Sequence, residues 1–84
     1  SVLIVDDEPV IRDTLAEFLG QEGFAVTACG TGEAAVERAG KQRFDVAVCD
    51  LHLPGLDGLE VLDRLTKLSP ETAVLLITAY ATVE

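Results

Sequence analysis

Four predominantly apolar runs alternate along the chain with segments in which apolar residues recur every three or four positions. The runs are Val2-Leu3-Ile4-Val5, residues 24–28, Val46-Ala47-Val48-Cys49 and residues 72–77. An unbroken apolar run is how a strand reads when helices cover both faces of its sheet, so the first, third and fourth are predicted to be strands buried on both faces, and residues 24–28 a short strand rich in branched and apolar residues. Between the first two, Ile11, Leu15, Phe18 and Leu19 share one face of a helix predicted over 9–22, with Arg12, Asp13, Glu17 and Gln21 on the solvated side. Pro9 suits its first turn, where a missing amide costs nothing, and Gly23 is placed to end it in a left-handed cap. Thr31 can cap a second helix carrying Ala34, Ala35, Val36 and Ala39 to about Gly40. Residues 51–58 read as a loop through the Pro54-Gly55 pair. Asp57, with Glu60 three positions on, then forms a capping box for a third helix that turns Leu62, Leu65 and either Val61 or Leu68 to the core and stops at Ser69-Pro70.

The resulting order is βαβαβαβ, without repeats or linkers. Strands alternating with helices predict a parallel sheet with right-handed crossovers, hence a doubly wound α/β sandwich. All carboxyl ends then lie along one edge, and in the flavodoxin-like strand order the first and third strands flank the switch point where such sheets bind ligands. Asp6 and Asp7 follow the first strand, Asp50 the third and Thr78 the fourth. Four polar side chains from three strands are thus expected at one place.

Composition narrows the field. Eighty-four residues make one small domain, and 49% apolar content excludes disorder, while no apolar run is long enough to span a bilayer. A net charge of −9 argues against nucleic-acid binding by this segment, and no membrane partner is expected. The acid excess suits a solvated surface, and for three or four of the carboxylates a bound cation. Cys29 and Cys49 lack the spacing of zinc or redox motifs and read as buried, reduced thiols. No secretory signal is present, so the expected location is the cytoplasm, and the absence of any Met suggests a part of something longer.

Three carboxylates brought close together repel one another and must take up protons or bind a cation. Mg²⁺ is the natural neutraliser, because it prefers oxygen ligands, keeps several waters and recruits phosphate oxygens. That favours phosphoryl chemistry, with one carboxylate attacking phosphorus and a hydroxyl such as Thr78 assisting from another side. Asp50 is the candidate nucleophile, since it stands alone on its strand while Asp6 and Asp7 come as a pair.

The segments Val5-Asp6-Asp7-Glu8, Cys49-Asp50-Leu51-His52-Leu53-Pro54-Gly55-Leu56-Asp57-Gly58 and Ile77-Thr78-Ala79-Tyr80 closely resemble the receiver domain of two-component response regulators, of CheY-like fold. The resemblance covers the whole chain. It implies that Asp50 takes a phosphoryl group from a sensor histidine kinase, and that Asp6, Asp7, Asp50 and the backbone carbonyl of His52 hold Mg²⁺. It further implies that Thr78 is the switch hydroxyl and that the backbone amide of Ala79 helps to hold the phosphoryl group. An output or effector domain and a second copy of the chain are the other expected partners. The resemblance also implies a domain that assists its own phosphotransfer and dephosphorylation and is otherwise not an enzyme. The run from Thr78 to Glu84 looks most like receivers of NtrC-type transcriptional activators.

By the same resemblance, residues 1–84 would be the N-terminal part of a receiver, lacking the last helix-strand-helix portion. The family's fifth strand, its phosphoryl-pairing lysine and its switch aromatic lie beyond Glu84, and neither Lys41 nor Lys67 is placed to replace that lysine. His52, with no His or Cys at ligand spacing, reads as a side chain at the loop rim, and the resemblance implies that it tunes hydrolysis. Arg12, Arg38, Arg43 and Arg64 read as solvated, and Tyr80 as surface. Two other classes compete: a degenerate receiver that binds partners without phosphorylation, and a Mg²⁺-dependent phosphohydrolase. The haloacid-dehalogenase type needs an Asp where His52 stands, and no phosphate-binding glycine motif occurs.

Overall fold

The computed structural model describes residues 1–77. Its elements are β1 (Val2–Val5), α1 (Pro9–Gln21), β2 (Val26–Cys29), α2 (Gly32–Lys41), β3 (Val46–Asp50), α3 (Gly58–Leu68) and β4 (Ala73–Ile77). The strands form one parallel sheet in the order β2-β1-β3-β4, the flavodoxin-like arrangement expected from the alternation.

One face of the sheet is well covered. Leu3 and Val5 of β1, Ala47 and Cys49 of β3 and Cys29 of β2 pack with Ala35 of α2 and with Val61 and Leu65 of α3, and Phe44 and Leu53 close the ends. Of the two candidates for the third core position of α3, Val61 is fully buried whereas Leu68 is 51% exposed. Among the described residues, the other face carries α1 alone, packed on β1 and β2. Along one row of that face Ile4 is fully buried, its partner Val48 is half-buried, and Leu75, next in register, is 56% exposed. No residue of α1 is fully buried, and Phe18, expected on its inner face, is 57% exposed.

Two strand boundaries differ from the pattern. Phe24 was expected to begin β2 but is 51% exposed, because its amide donates to the carbonyl of Leu19 and so belongs to the end of α1. Gly23, at φ 97°, makes that left-handed turn, as expected of a C-terminal cap. Thr72 lies just outside β4, its hydroxyl donating to the carbonyl of Phe44 at 2.7 Å. The predicted caps are in place. The Thr31 hydroxyl accepts from the amide of Ala34, and Asp57 and Glu60 form a reciprocal capping box at the start of α3.

Candidate functional site

Register places the acids. Val5 of β1 is the neighbour of Cys49 in β3, so the next residue on each strand, Asp6 and Asp50, emerge side by side at the carboxyl edge. Adjacent strands lie roughly 4.8 Å apart, which brings two carboxylates within reach of one ion. Asp6 and Asp50 are buried and Asp7 is exposed, and one oxygen from each of the three lies within 4.8 Å of the others. Among the described residues this is the one cluster of acids, histidines or cysteines able to surround a metal ion.

Each buried carboxylate is held by the backbone that follows it. The amide of Glu8 donates to Oδ1 of Asp6 at 2.9 Å, and the amide of His52 donates to Oδ1 of Asp50 at 3.1 Å. These turns fix both side chains pointing along the edge. Burial pushes the Asp6 carboxyl above its ordinary value; the Glu8 amide opposes this, and the charges of Asp50 and then Asp7 reinforce it. A buried carboxyl whose ionisation is resisted in this way is relieved by a cation, so the donor set, three hard oxygens with excess negative charge, fits a hard divalent ion. Cys49 behaves differently. Burial, with Asp50, Asp6 and Asp57 nearby, drives its thiol up to about 12, so it stays protonated and inert.

The loop after Asp50 is held at close quarters. A Cβ on Gly58 would stand 2.5 Å from the carbonyl oxygen of Asp50 and 2.7 Å from Cα of Leu51. Only a glycine lets the start of α3 approach the strand end so closely. Gly55 takes φ 70°, and the Glu33 carboxylate at the start of α2 accepts from the amide of Leu56 at 3.3 Å. His52 is exposed at the loop rim, as expected. The fourth strand brings its last described residue, Ile77, beside Asp50, and the Ile77 carbonyl accepts from the amide of Leu51 at 2.7 Å. Thr78 and Ala79, like Tyr80, lie outside the described residues.

One residue near the site was misjudged from sequence. Arg12 was placed on the solvated side of α1, yet it is half-buried and donates from Nη1 to the carbonyl of Asp6 at 3.1 Å. Its position six residues after Asp6, one helical turn into α1, was the available signal. Side chains on a helix lean toward its N-terminus, so an arginine there reaches back to the turn it follows.

No helix among the described residues is long and apolar enough to cross a membrane.

Residues 2–84 match the family model described as the response regulator receiver domain. The chain is 44% identical over 84 residues to a probable transcriptional regulatory protein, TcrX, of Mycobacterium tuberculosis, covering all of this chain and 36% of that protein. It therefore spans about a third of that relative's length. Among solved structures it is similar to the response regulator TrrA of Thermotoga maritima in complex with Mg²⁺-BeF, at TM-score 0.89 and 36% identity over 95% of this chain and 70% of that one. TrrA bound to the histidine kinase ThkA gives TM-score 0.87 at 35% identity over 99% of this chain and 72% of that one. A Burkholderia pseudomallei response regulator with a phosphorylated aspartic acid and a calcium ion gives TM-score 0.89 at 34% identity over 98% of this chain and 48% of that one. None of these is described as NtrC-type. With its parallel sheet in the order β2-β1-β3-β4 and a family match over nearly its whole length, the chain belongs to the response regulator receiver domain family.

Proposed function

We propose that Asp50 accepts a phosphoryl group from a phosphohistidine of a sensor histidine kinase, and that the modified domain changes a surface read by an output domain in the cytoplasm. The observation that carries this reading is the meeting of Asp50 with Asp6 and Asp7 within 4.8 Å at the end of β3. TrrA, seen with Mg²⁺-BeF and in complex with the histidine kinase ThkA, and the relative with a phosphorylated aspartic acid support it by similarity.

In the transfer an oxygen of Asp50 forms a bond to phosphorus as the bond from phosphorus to the histidine nitrogen breaks. The imidazole leaves with the electron pair and an acyl phosphate remains on Asp50. Asp6, Asp7, Asp50 and the backbone carbonyl of His52 would hold Mg²⁺, which supplies positive charge for the phosphoryl oxygens. The chain's own part is positional. The His52 amide fixes the rotation of the Asp50 carboxylate, and the close contact of Gly58 fixes its backbone. Thr78, as the switch hydroxyl, and the Ala79 amide are assigned to the phosphoryl group by the resemblance. Attack of a water oxygen on phosphorus breaks the bond from phosphorus to the Asp50 oxygen, releases inorganic phosphate, and returns the Asp50 carboxylate, which resets the domain. Between the two forms the protein acts as a two-state switch, biased by a local charge change. A second copy of the chain is a further partner of either form.

The test is intact mass after incubation with acetyl phosphate and Mg²⁺. One phosphoryl adduct is expected on the native protein, with none on Asp50→Asn or in the presence of excess chelator. No adduct on the native protein would favour a receiver that works without phosphorylation, and an undiminished adduct on Asp50→Asn would remove Asp50 from the role.

A further inference from the structure

Three hydrogen bonds hold the Asp6 residue. Its amide donates to the carbonyl of Cys29 at 3.1 Å, its Oδ1 accepts from the amide of Glu8, and its carbonyl accepts from Arg12. The first two are made by backbone amides and would be available to almost any sequence. The third depends on one side chain, which leaves α1 and crosses to the ends of β1 and β2. Space for it is set by Gly30, just past β2. A Cβ on Gly30 would lie 2.9 Å from Nη1 of Arg12 and meet nothing closer.

We propose that Arg12 is a positioning residue for the cation: through the Asp6 carbonyl it holds the Asp6-Asp7 peptide so that both carboxylates and Asp50 face one Mg²⁺. The inference deepens the functional reading above and rests on it. A polar group anchoring the backbone of a metal-ligating residue commonly changes metal affinity on the order of tenfold when removed. Arg12 makes a sharp case because its charge acts the other way. A guanidinium near three carboxylates repels a second cation, so if Arg12 acted on Mg²⁺ by charge alone, deleting it would tighten binding. As a positioning residue, its deletion weakens binding although a repelling charge has been removed.

Gly30 provides an independent probe. Alanine there displaces only the far end of a flexible side chain and keeps every charge in the protein. Loss of the Asp6 contact should therefore follow with little cost in stability.

The experiment is calorimetric titration of the purified protein with Mg²⁺, beside urea unfolding in chelator to check the fold. Arg12→Ala and Gly30→Ala are each expected to raise the Mg²⁺ dissociation constant on the order of tenfold. The double variant should be no weaker than Arg12→Ala, since both changes remove one contact. Arg12→Lys, which keeps a donor and the charge, should recover part of the loss. Unchanged or tighter binding in Arg12→Ala, or native affinity in Gly30→Ala, would overturn the inference. If Arg12→Ala does not fold, Gly30→Ala decides alone. A native protein that binds no Mg²⁺ at all would instead remove the metal reading beneath it.

Discussion

Asp6 is the residue in which structure and function pull against each other. The residue is 2% exposed, and burial raises its carboxyl pKa above the value it has in the unfolded chain. A raised folded-state pKa means that the native state holds the proton more tightly. The stability this contributes is complete below the ordinary carboxylate value and is lost as pH rises through the raised one. At neutral pH, without metal, the fold therefore carries an ionised group it disfavours. Asp6→Asn keeps an oxygen for the Glu8 amide and removes that ionisation. In chelator it should be more stable than the native protein at neutral pH, and the difference should shrink toward nothing below about pH 4, read by urea unfolding at a series of pH values. Adding Mg²⁺ should stabilise the native protein and leave Asp6→Asn unchanged. A native protein more stable than Asp6→Asn across the whole range in chelator would contradict this. The acids themselves were legible in the sequence because the Asp6-Asp7 pair and Asp50 each follow an apolar run. Arg12 was not, because its amphipathic position marks it as solvated, and only the backward lean of its side chain carries it to Asp6.

At the level of elements, the start of α3 is built for two purposes. The capping box of Asp57 and Glu60 satisfies the helix end, and Gly58 allows that end to press on the backbone of Asp50. The two should separate on mutation. Asp57→Ala loses a cap and is expected to cost about 1 kcal/mol of stability, with phosphorylation near the native rate. Gly58→Ala drives a methyl into backbone and is expected to cost about 1–3 kcal/mol and also to slow phosphorylation, because Asp50 itself must shift. Denaturant midpoints and the rate of adduct formation check both. A Gly58→Ala variant with native stability and rate would refute the close-contact argument. The caps were readable because they depend on residues three apart. Which of Val61 and Leu68 is buried was not, since both lie at helical spacing and only the crossing of α3 over β3 and β4 chooses Val61. Phe24 was misassigned because apolar character does not say whether a residue begins a strand or finishes the preceding helix.

For the molecule as a whole, the two sheet faces are unequal. One is sealed by α2 and α3, while on the other α1 leaves Leu75 56% and Ile77 36% exposed. Apolar side chains on a flat strand invite pairing with another chain. The 84-residue polypeptide is accordingly expected to self-associate and bind hydrophobic dye, and Leu75→Lys should reduce both in sedimentation and fluorescence measurements. A monodisperse native polypeptide that binds no dye would argue against an accessible face. The fold class was legible from the alternation of runs alone, because buried parallel strands show no period of two. The exposure of Leu75 and Ile77 was not legible in their apolar run, which reads as a buried strand; the resemblance implied only that a last helix-strand-helix portion was lacking. The functional account depends on which carboxylate carries the phosphoryl group. Acyl phosphates are reduced by borohydride, which converts a phosphorylated aspartate to homoserine. Peptide mass spectrometry after phosphorylation and reduction should find homoserine at position 50 and nowhere else; homoserine at position 6 or 7, or none at all, would contradict the account.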